Sequence, residues 1–173
     1  MGDENLKAAS AGILRRLAAL LYDLLLVIAL AFVATFAMLP LTHGEAILSS
    51  TQGLVGHAYH ALLAILVFAY FGWSWTRSGQ TLGMRAWRIR LESSGGKPLN
   101  WAESLLRFVL GSGLAWLAAL GVWYLSRPGS PLGQLGAAAL LAPLLVNYGW
   151  IWFDDEGRSL QDLAGRAHMR RIA

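Results

Sequence analysis

The chain has 173 residues, of which 56% are apolar and only 14% charged, with no cysteine and a formal charge of +4. A soluble domain carries about 25% charged residues. The composition therefore excludes a disordered chain, a domain whose surface must stay wet, and any disulfide scaffold, thiolate metal site or cysteine nucleophile. What remains is a small integral membrane protein of one domain, residues 1–173, with a mean hydropathy of +0.49. In such a protein the place of each charge matters more than the sum.

Four apolar runs follow in chain order. They are Leu17–Leu39, interrupted only by Asp23, then Ala58–Trp75, Phe108–Leu125 and Leu135–Phe153, the last with Asn147 as its one strongly polar residue. Each run holds 18 to 23 residues. At about 1.5 Å per residue that is roughly 27–34 Å, enough for a hydrocarbon core of about 30 Å. Only helices and closed barrels satisfy their backbone in lipid, and none of the runs alternates as barrel strands do. The expected fold is an all-α membrane protein, a four-transmembrane-helix bundle with a small cytoplasmic cap.

Lys and Arg set the orientation. Lys7, Arg15 and Arg16 precede the first run. Arg77, Arg85, Arg88, Arg90, Lys97 and Arg107 lie between the second and third, and Arg158, Arg166, Arg170 and Arg171 in the tail. Only Arg127 falls on the other side, so four spans place 13 of 14 basic groups together, and both termini in the cytoplasm. Trp73, Trp75, Trp101, Trp150 and Trp152 sit near the cytoplasmic boundary, with Trp123 and Tyr124 near the outer one, as amphipathic rings prefer. A small-x-small site at Thr35–Ala37 resembles a signal-peptide cleavage point, but Asp3, Glu4 and Asp23 argue against cleavage, which would also break the even span count.

The cap has its own pattern. In Met84–Glu92, Trp87, Ile89 and Leu91 alternate with Arg88, Arg90 and Glu92, which reads as a strand with one wet face. Ser93-Ser94-Gly95-Gly96 reads as a turn and Lys97-Pro98-Leu99 as a returning strand, giving a short β-hairpin whose basic face suits anionic lipid. In the tail, Ser159 caps a short helix through Ala164 with Asp162 as capping-box partner, and Gly165 ends it. Ala167–Ile172 is again extended and basic, and is a candidate to pair with the loop hairpin, which a single sequence does not decide. No internal repeat is evident.

Asp23 is the most informative residue. It lies seven residues beyond Arg16, about 10 Å along a helix, where an ionised Asp costs roughly 2.5–3.5 kcal/mol on insertion scales. It must face inward and have a partner. Arg16, Ala19 and Asp23 share one helix face, and Ala19 admits a closely packed neighbour. Arg16 is too far for a direct bond, so Arg107 at the foot of the third run is the expected partner. Arg16, Asp23, Arg107 and Asp162 form the expected charged network.

These residues bring a family into view. Gly12-x-x-x-Arg16-Leu17-Ala18-Ala19-x-x-x-Asp23 resembles the opening motif of the RDD family of bacterial membrane proteins, named for one Arg and two Asp. Gly79-Gln80-Thr81-Leu82-Gly83-Met84-Arg85 resembles its Gly-x-Thr-Leu-Gly-x-Arg/Lys loop, and Leu99 to Arg107 the approach to an Arg-headed span. Ser159–Gly165 resembles the terminal His-Asp-x-x-Ala-Gly-Thr block, with Gln161 where His is usual and Arg166 where Thr is usual. The resemblance makes Arg16, Asp23 and Asp162 the signature. It implies a polytopic protein of the bacterial inner membrane, with transport of small ions or solutes, cation/proton exchange among them.

Two functions are carried forward. In the first, Asp23 loads a proton or cation, Asn147 adds an oxygen ligand, and Asp154 and Asp155 form an acidic vestibule. Four helices barely enclose a pathway, so this needs a homo-oligomer. The alternative is a non-catalytic accessory or assembly subunit of a larger membrane complex, docking through small-residue stripes such as Gly111/Ala115/Ala119 and Ala138/Ala142. No nucleophile elbow, phosphate-binding Gly-rich loop or metalloprotease motif appears, so no enzyme is expected. His43, Glu45, His57 and His60 lack further ligand spacing, so no metal or other cofactor is expected. Basic stretches interrupted by membrane exclude nucleic acid.

Overall fold

The computed structural model describes residues 10–42, 53–126 and 133–172. Among them are three helices long and apolar enough to cross a membrane: α1 (Ile13–Met38), α2 (Leu54–Arg77) and α4 (Trp101–Leu125). Their 26, 24 and 25 residues span roughly 36–39 Å. α1 runs into a 3₁₀ turn, Leu39–Thr42. α4 begins on a full capping box, in which Glu103 N donates to Asn100 Oδ1 and Asn100 N to Glu103 Oε2, both at 2.9 Å.

The expectation of four membrane-spanning helices is corrected. Leu135–Phe153 is not one span but two short helices, α5 (Gly133–Ala139) and α6 (Ala142–Gly149), followed by a 3₁₀ turn, Trp150–Trp152. The cause is Pro143, in the first turn of α6. It has no N–H to give, and its ring would clash with the carbonyl four residues back. The chain breaks there in a turn closed by Leu141 N donating to Ala138 O at 3.0 Å. Both pieces still pack back along α4. His43, Glu45 and Arg127 lie outside the described residues.

The rest of the chain forms a cap at one end of the helices. After α2 come α3 (Leu82–Ala86) and β1 (Ile89–Ser93), and after the broken segment come α7 (Leu160–Ala164) and β2 (Ala167–Arg171). The expected loop hairpin is corrected as well. A turn does close, with Gly96 N donating to Ser93 O and Ser93 N to Lys97 O, both at 2.8 Å. The strand partner of β1, however, is β2 from the tail, antiparallel, with Leu91 opposite Met169. Period-two alternation reveals a strand and its wet face but not its partner. The alternation at Met84 belongs to α3, because Thr81 Oγ1 accepts from Met84 N at 3.1 Å and starts a helical turn. Residues 10 and 11 extend the sheet, with Ser10 bridging Arg170 and Ala11 N donating to Met169 O at 2.9 Å.

The buried core lies in this cap. Ala11, Ala19, Trp75, Met84, Ile89, Leu91, Leu99, Ala167 and Met169 form one cluster, backed by Phe71 and Phe108. Each fully buried Ile or Leu there stabilises the fold by about 1.5–3 kcal/mol. The long helices are opposite in character: Leu21, Leu25, Phe32, Val33 and Phe36 of α1 and Trp116 of α4 are exposed, and these faces contact lipid.

The cap is one unit used twice, a repeat the residue identities conceal. Gly79 and Gly157 both have positive φ, +69° and +65°. Thr81 and Ser159 cap five-residue helices. Arg88 and Arg166 both adopt the left-handed region, at +52° and +48°, just before five-residue strands. A constant sequence offset relates all of these, as it relates Leu91 to Met169, which face each other at the middle of the ladder. A pseudo-two-fold axis therefore passes through the Leu91–Met169 pair. The constraints are backbone constraints that many sequences meet; Gly79, Leu82, Ala86 and Arg88 are the few positions that recur unchanged in the second unit, as Gly157, Leu160, Ala164 and Arg166. Gly79 is held to glycine twice over, by its φ and because a Cβ would lie 2.4 Å from Leu91 O.

Candidate functional site

Two carboxylates are buried in or beside the cap, and they are held differently. Asp162 is the third residue of α7 and closes the capping box begun by Ser159: Ser159 N donates to its Oδ2 at 3.0 Å, and its own N–H faces Ser159 Oγ. Arg16 Nη1 donates to the same Oδ2 at 2.5 Å, and Arg107 Nη1 donates to Oδ1. Asp162 is fully buried and both arginines nearly so. Burial alone would push the Asp162 carboxyl up. The charges of Arg107 and Arg16, with the Ser159 N–H, outweigh that and hold it well below the usual carboxylate range.

The arginines are engaged beyond the ion pair. Arg16 Nε donates to Ala11 O at 2.7 Å and Nη2 to Gly157 O at 2.8 Å. Arg107 lies over the Trp75 ring, 5.5 Å from its centroid. The cluster thus joins the start of α1, the foot of α4 and the tail. It carries one positive charge in excess, offset by carbonyl oxygens and a ring face.

Asp23 sits one α1 face along, 2% exposed. Thr81 Oγ1 donates to Oδ2 at 2.5 Å. Gly83 N and the Tyr70 hydroxyl donate to Oδ1 at 2.9 and 2.7 Å. All three donors are neutral, and no Lys, Arg or His forms an ion pair with Asp23 among the described residues. The expected Arg107–Asp23 pairing is corrected: Arg107 goes to Asp162 instead. Arg16, Ala19 and Asp23 are the buried residues of α1 and mark one face. The neighbour admitted at Ala19 is α3, since a Cβ on Gly83 would stand 2.2 Å from Ala19 O and 2.9 Å from Asp23 Cγ.

The repeat reaches this site too. Gly83 and Gln161 are equivalent second positions of α3 and α7. Each backbone N–H donates to an oxygen from an apolar helix, Asp23 Oδ1 in one case and Asn147 Oδ1 in the other, both at 2.9 Å. Asn147 is 1% exposed, and its Nδ2 has no partner among the described residues. The charge is placed differently in the two units. The acceptor is charged in the first, where it is Asp23 and the third position of α3 is the neutral Met84. In the second the acceptor is neutral, and the charge moves to Asp162, the counterpart of Met84.

The remaining expected site residues lie elsewhere. Asp154 is taken up in the turn before α7, accepting from Glu156 N, Arg158 N and the Arg158 guanidinium. Burial is the largest single influence and opposes its charge, but the bonds and charge of Arg158 together with the Glu156 N–H outweigh it and pull the carboxyl below the usual range. Asp155 is exposed beside it. Among the described residues, no hydrogen bond or ion pair directly links Asp23 to Asn147 or Asp154. His60 Nδ1 faces its own helix, 2.6 Å from Gly56 O, and no group of described residues could hold a metal. Thr81, Gly83 and Tyr70 were not foreseen as partners of Asp23. The Gly79-x-Thr81-x-Gly83 spacing, a cap residue followed by a close-approach glycine, was the available signal for two of them.

Comparison with known proteins places the chain in a family. A family model described as RDD family matches residues 10–166. No curated protein and no solved structure gave a match.

Proposed function

The chain belongs to the RDD family, and from that premise we propose that it is a multi-pass protein of the bacterial inner membrane that exchanges a small cation against protons at Asp23. One observation carries the reading: Asp23 is a buried carboxylate on a membrane-spanning helix, held only by neutral donors. An intramembrane carboxylate marks an ion or proton site by default. Hydroxyls can turn from donor to acceptor when it takes up a proton, whereas the two guanidinium groups on Asp162 cannot. Arg16, Arg107 and Asp162 then hold the cap in place around Asp23.

Both termini face the cytoplasm in this proposal, on the strength of the positive-inside charge bias. Residues 10 and 11 pair with β2, which keeps both described ends at one end of the helices. The cap would rest on acidic lipid, and transport would need a homo-oligomer to enclose a path. The test is flux in proteoliposomes. Wild type should show cation-dependent proton movement and Asp23→Asn should not; a wild type silent toward every common cation ends the transport reading.

A second reading, an accessory subunit of a larger membrane complex, is favoured by one feature: Ala115 and Ala119 of α4 are exposed, leaving a small-residue stripe uncovered. Pull-down from native membrane separates the two, since a lone monodisperse species speaks against an accessory role.

A further inference from the structure

The pseudo-two-fold axis relates two hollows on the outer edges of the sheet. One is lined by Ser10, Glu156, His168, Met169 and Arg170, and its volume is about 10 Å³, room for one water. The other is lined by Arg77, Ser78, Arg90, Leu91 and Glu92 with the turn at Gly96 and Pro98, and its volume is about 140 Å³. Glu156 is the counterpart of Ser78, and His168 of Arg90. The small hollow is closed from within. Glu156 Oε2 lies 2.8 Å from His168 Nδ1 and 3.4 Å from Arg158, and Ser10 sits alongside with its hydroxyl donating to Gly157 O at 3.2 Å.

The large hollow has the cations without the anion. Ser78 is too short to reach Arg90, and its hydroxyl bonds Ser74 O and Gln80 O instead. Arg90 is anchored by Nε donating to Ser78 O at 3.2 Å, and Glu92 approaches its Nη1 only at 3.9 Å. The Arg77 guanidinium lies 5.3 Å from the centroid of the Trp73 ring and makes no hydrogen bond or ion pair among the described residues. Two guanidinium groups against one distant carboxylate leave the rim positive. The hollow opens at the end of α2, a candidate span, beside exposed Trp73, where amphipathic rings mark the headgroup level.

We propose that this hollow binds the phosphate group of an acidic phospholipid, which takes the place that Glu156 fills in the twin unit. Arg77 and Arg90 donate to the phosphate oxygens, the pairing for which guanidinium is best suited. The site rests on the reading that the cap meets acidic lipid, and sharpens it from a general attraction to one place.

The test uses the full chain, with lipid retention measured by native mass spectrometry after exchange into phosphatidylcholine with or without phosphatidylglycerol. Wild type should retain phosphatidylglycerol over phosphatidylcholine. Ser78→Glu, which installs the twin's anion, and Arg90→Gln should each lower retention roughly tenfold, as for loss of a charge-assisted bond. Arg171→Gln, an exposed charge away from the hollow, should not. Melting in phosphatidylcholine alone checks folding, and Arg77→Gln carries the test if Ser78→Glu misfolds. Equal retention in Ser78→Glu, Arg90→Gln and wild type overturns the site and leaves the surface reading standing, and an equal loss in Arg171→Gln does the same. Absence of any preference for phosphatidylglycerol overturns both. Displacement of the lipid by sodium phosphate overturns the lipid assignment in favour of the free anion.

Discussion

The surroundings of Asp162 and Asp23 put the same functional group to opposite uses. Asp162 lies between two guanidinium groups, Arg16 tied also to two backbone carbonyls and Arg107 laid over the Trp75 ring, so its side-chain partners are charged and held. Asp23 lies among a threonine, a tyrosine and a glycine amide, none charged. Removing one member of a buried ion pair strands the other, whereas changing the charge of a carboxylate held by neutral hydroxyls strands nothing. Burial by itself therefore does not tell a structural carboxylate from a functional one; the charge of the donors does.

The largest effect should come from Asp162→Ala. It leaves Arg16 and Arg107 buried without an anion, and loss of one partner of a buried pair costs about 3–5 kcal/mol. Thermal unfolding of the purified protein should show either a steep fall in the midpoint or no folded species. Unchanged stability would erase the contrast between the two carboxylates. The same contrast has a pH signature. The Asp162 carboxyl lies lower in the folded state than in the unfolded chain, so its stabilisation is complete above the unfolded value of about 3.9. It is lost as pH falls through the folded value. The unfolding midpoint should hold between neutral and mildly acid pH, then drop, and Asp162→Asn should flatten most of that acid limb.

Gly83→Ala comes next. Its Cβ meets Ala19 O at 2.2 Å, so α3 must move off α1, at about 1–3 kcal/mol for overpacking. Any flux should fall with it, because the amide that faces Asp23 moves as well. Thr81→Val should cost a similar amount in stability, about 1.5–3 kcal/mol for one bond to a charged group. It should disturb flux more than folding if the neutral donors matter; equal loss of both would make Asp23 as structural as Asp162. The smallest change is Arg158→Gln. Its pair with Asp154 is partly exposed, so a loss of at most about 1 kcal/mol is expected, measurable as a small midpoint shift.

The sequence made some of this visible. Three apolar runs stand where α1, α2 and α4 are, because length and hydropathy decide whether a helix can cross lipid. The box of Ser159 and Asp162 and the stop at Gly165 frame α7 as local rules require. Pro143 was equally legible, but a hydropathy window averages over the proline that splits the fourth run. The partner of Asp23 was not legible. Sequence gives how far along each helix a residue lies, whereas rotation of α4 and the approach of α3 are set by tertiary packing. The repeat stayed hidden for a related reason: its two copies share φ values, caps and register more than they share residues.

The β1–β2 pair also has a consequence for biosynthesis. β1 leaves the ribosome well before β2, and chains fold from the N-terminal end as they emerge. Until the last residues arrive, β1 has an open edge, and Arg16 and Arg107 have no carboxylate between them. A chain cut short before Asp162 therefore displays two unpaired guanidinium groups and a bare strand at the membrane surface. The cap therefore closes only once the segment carrying Asp162 and β2 has been made.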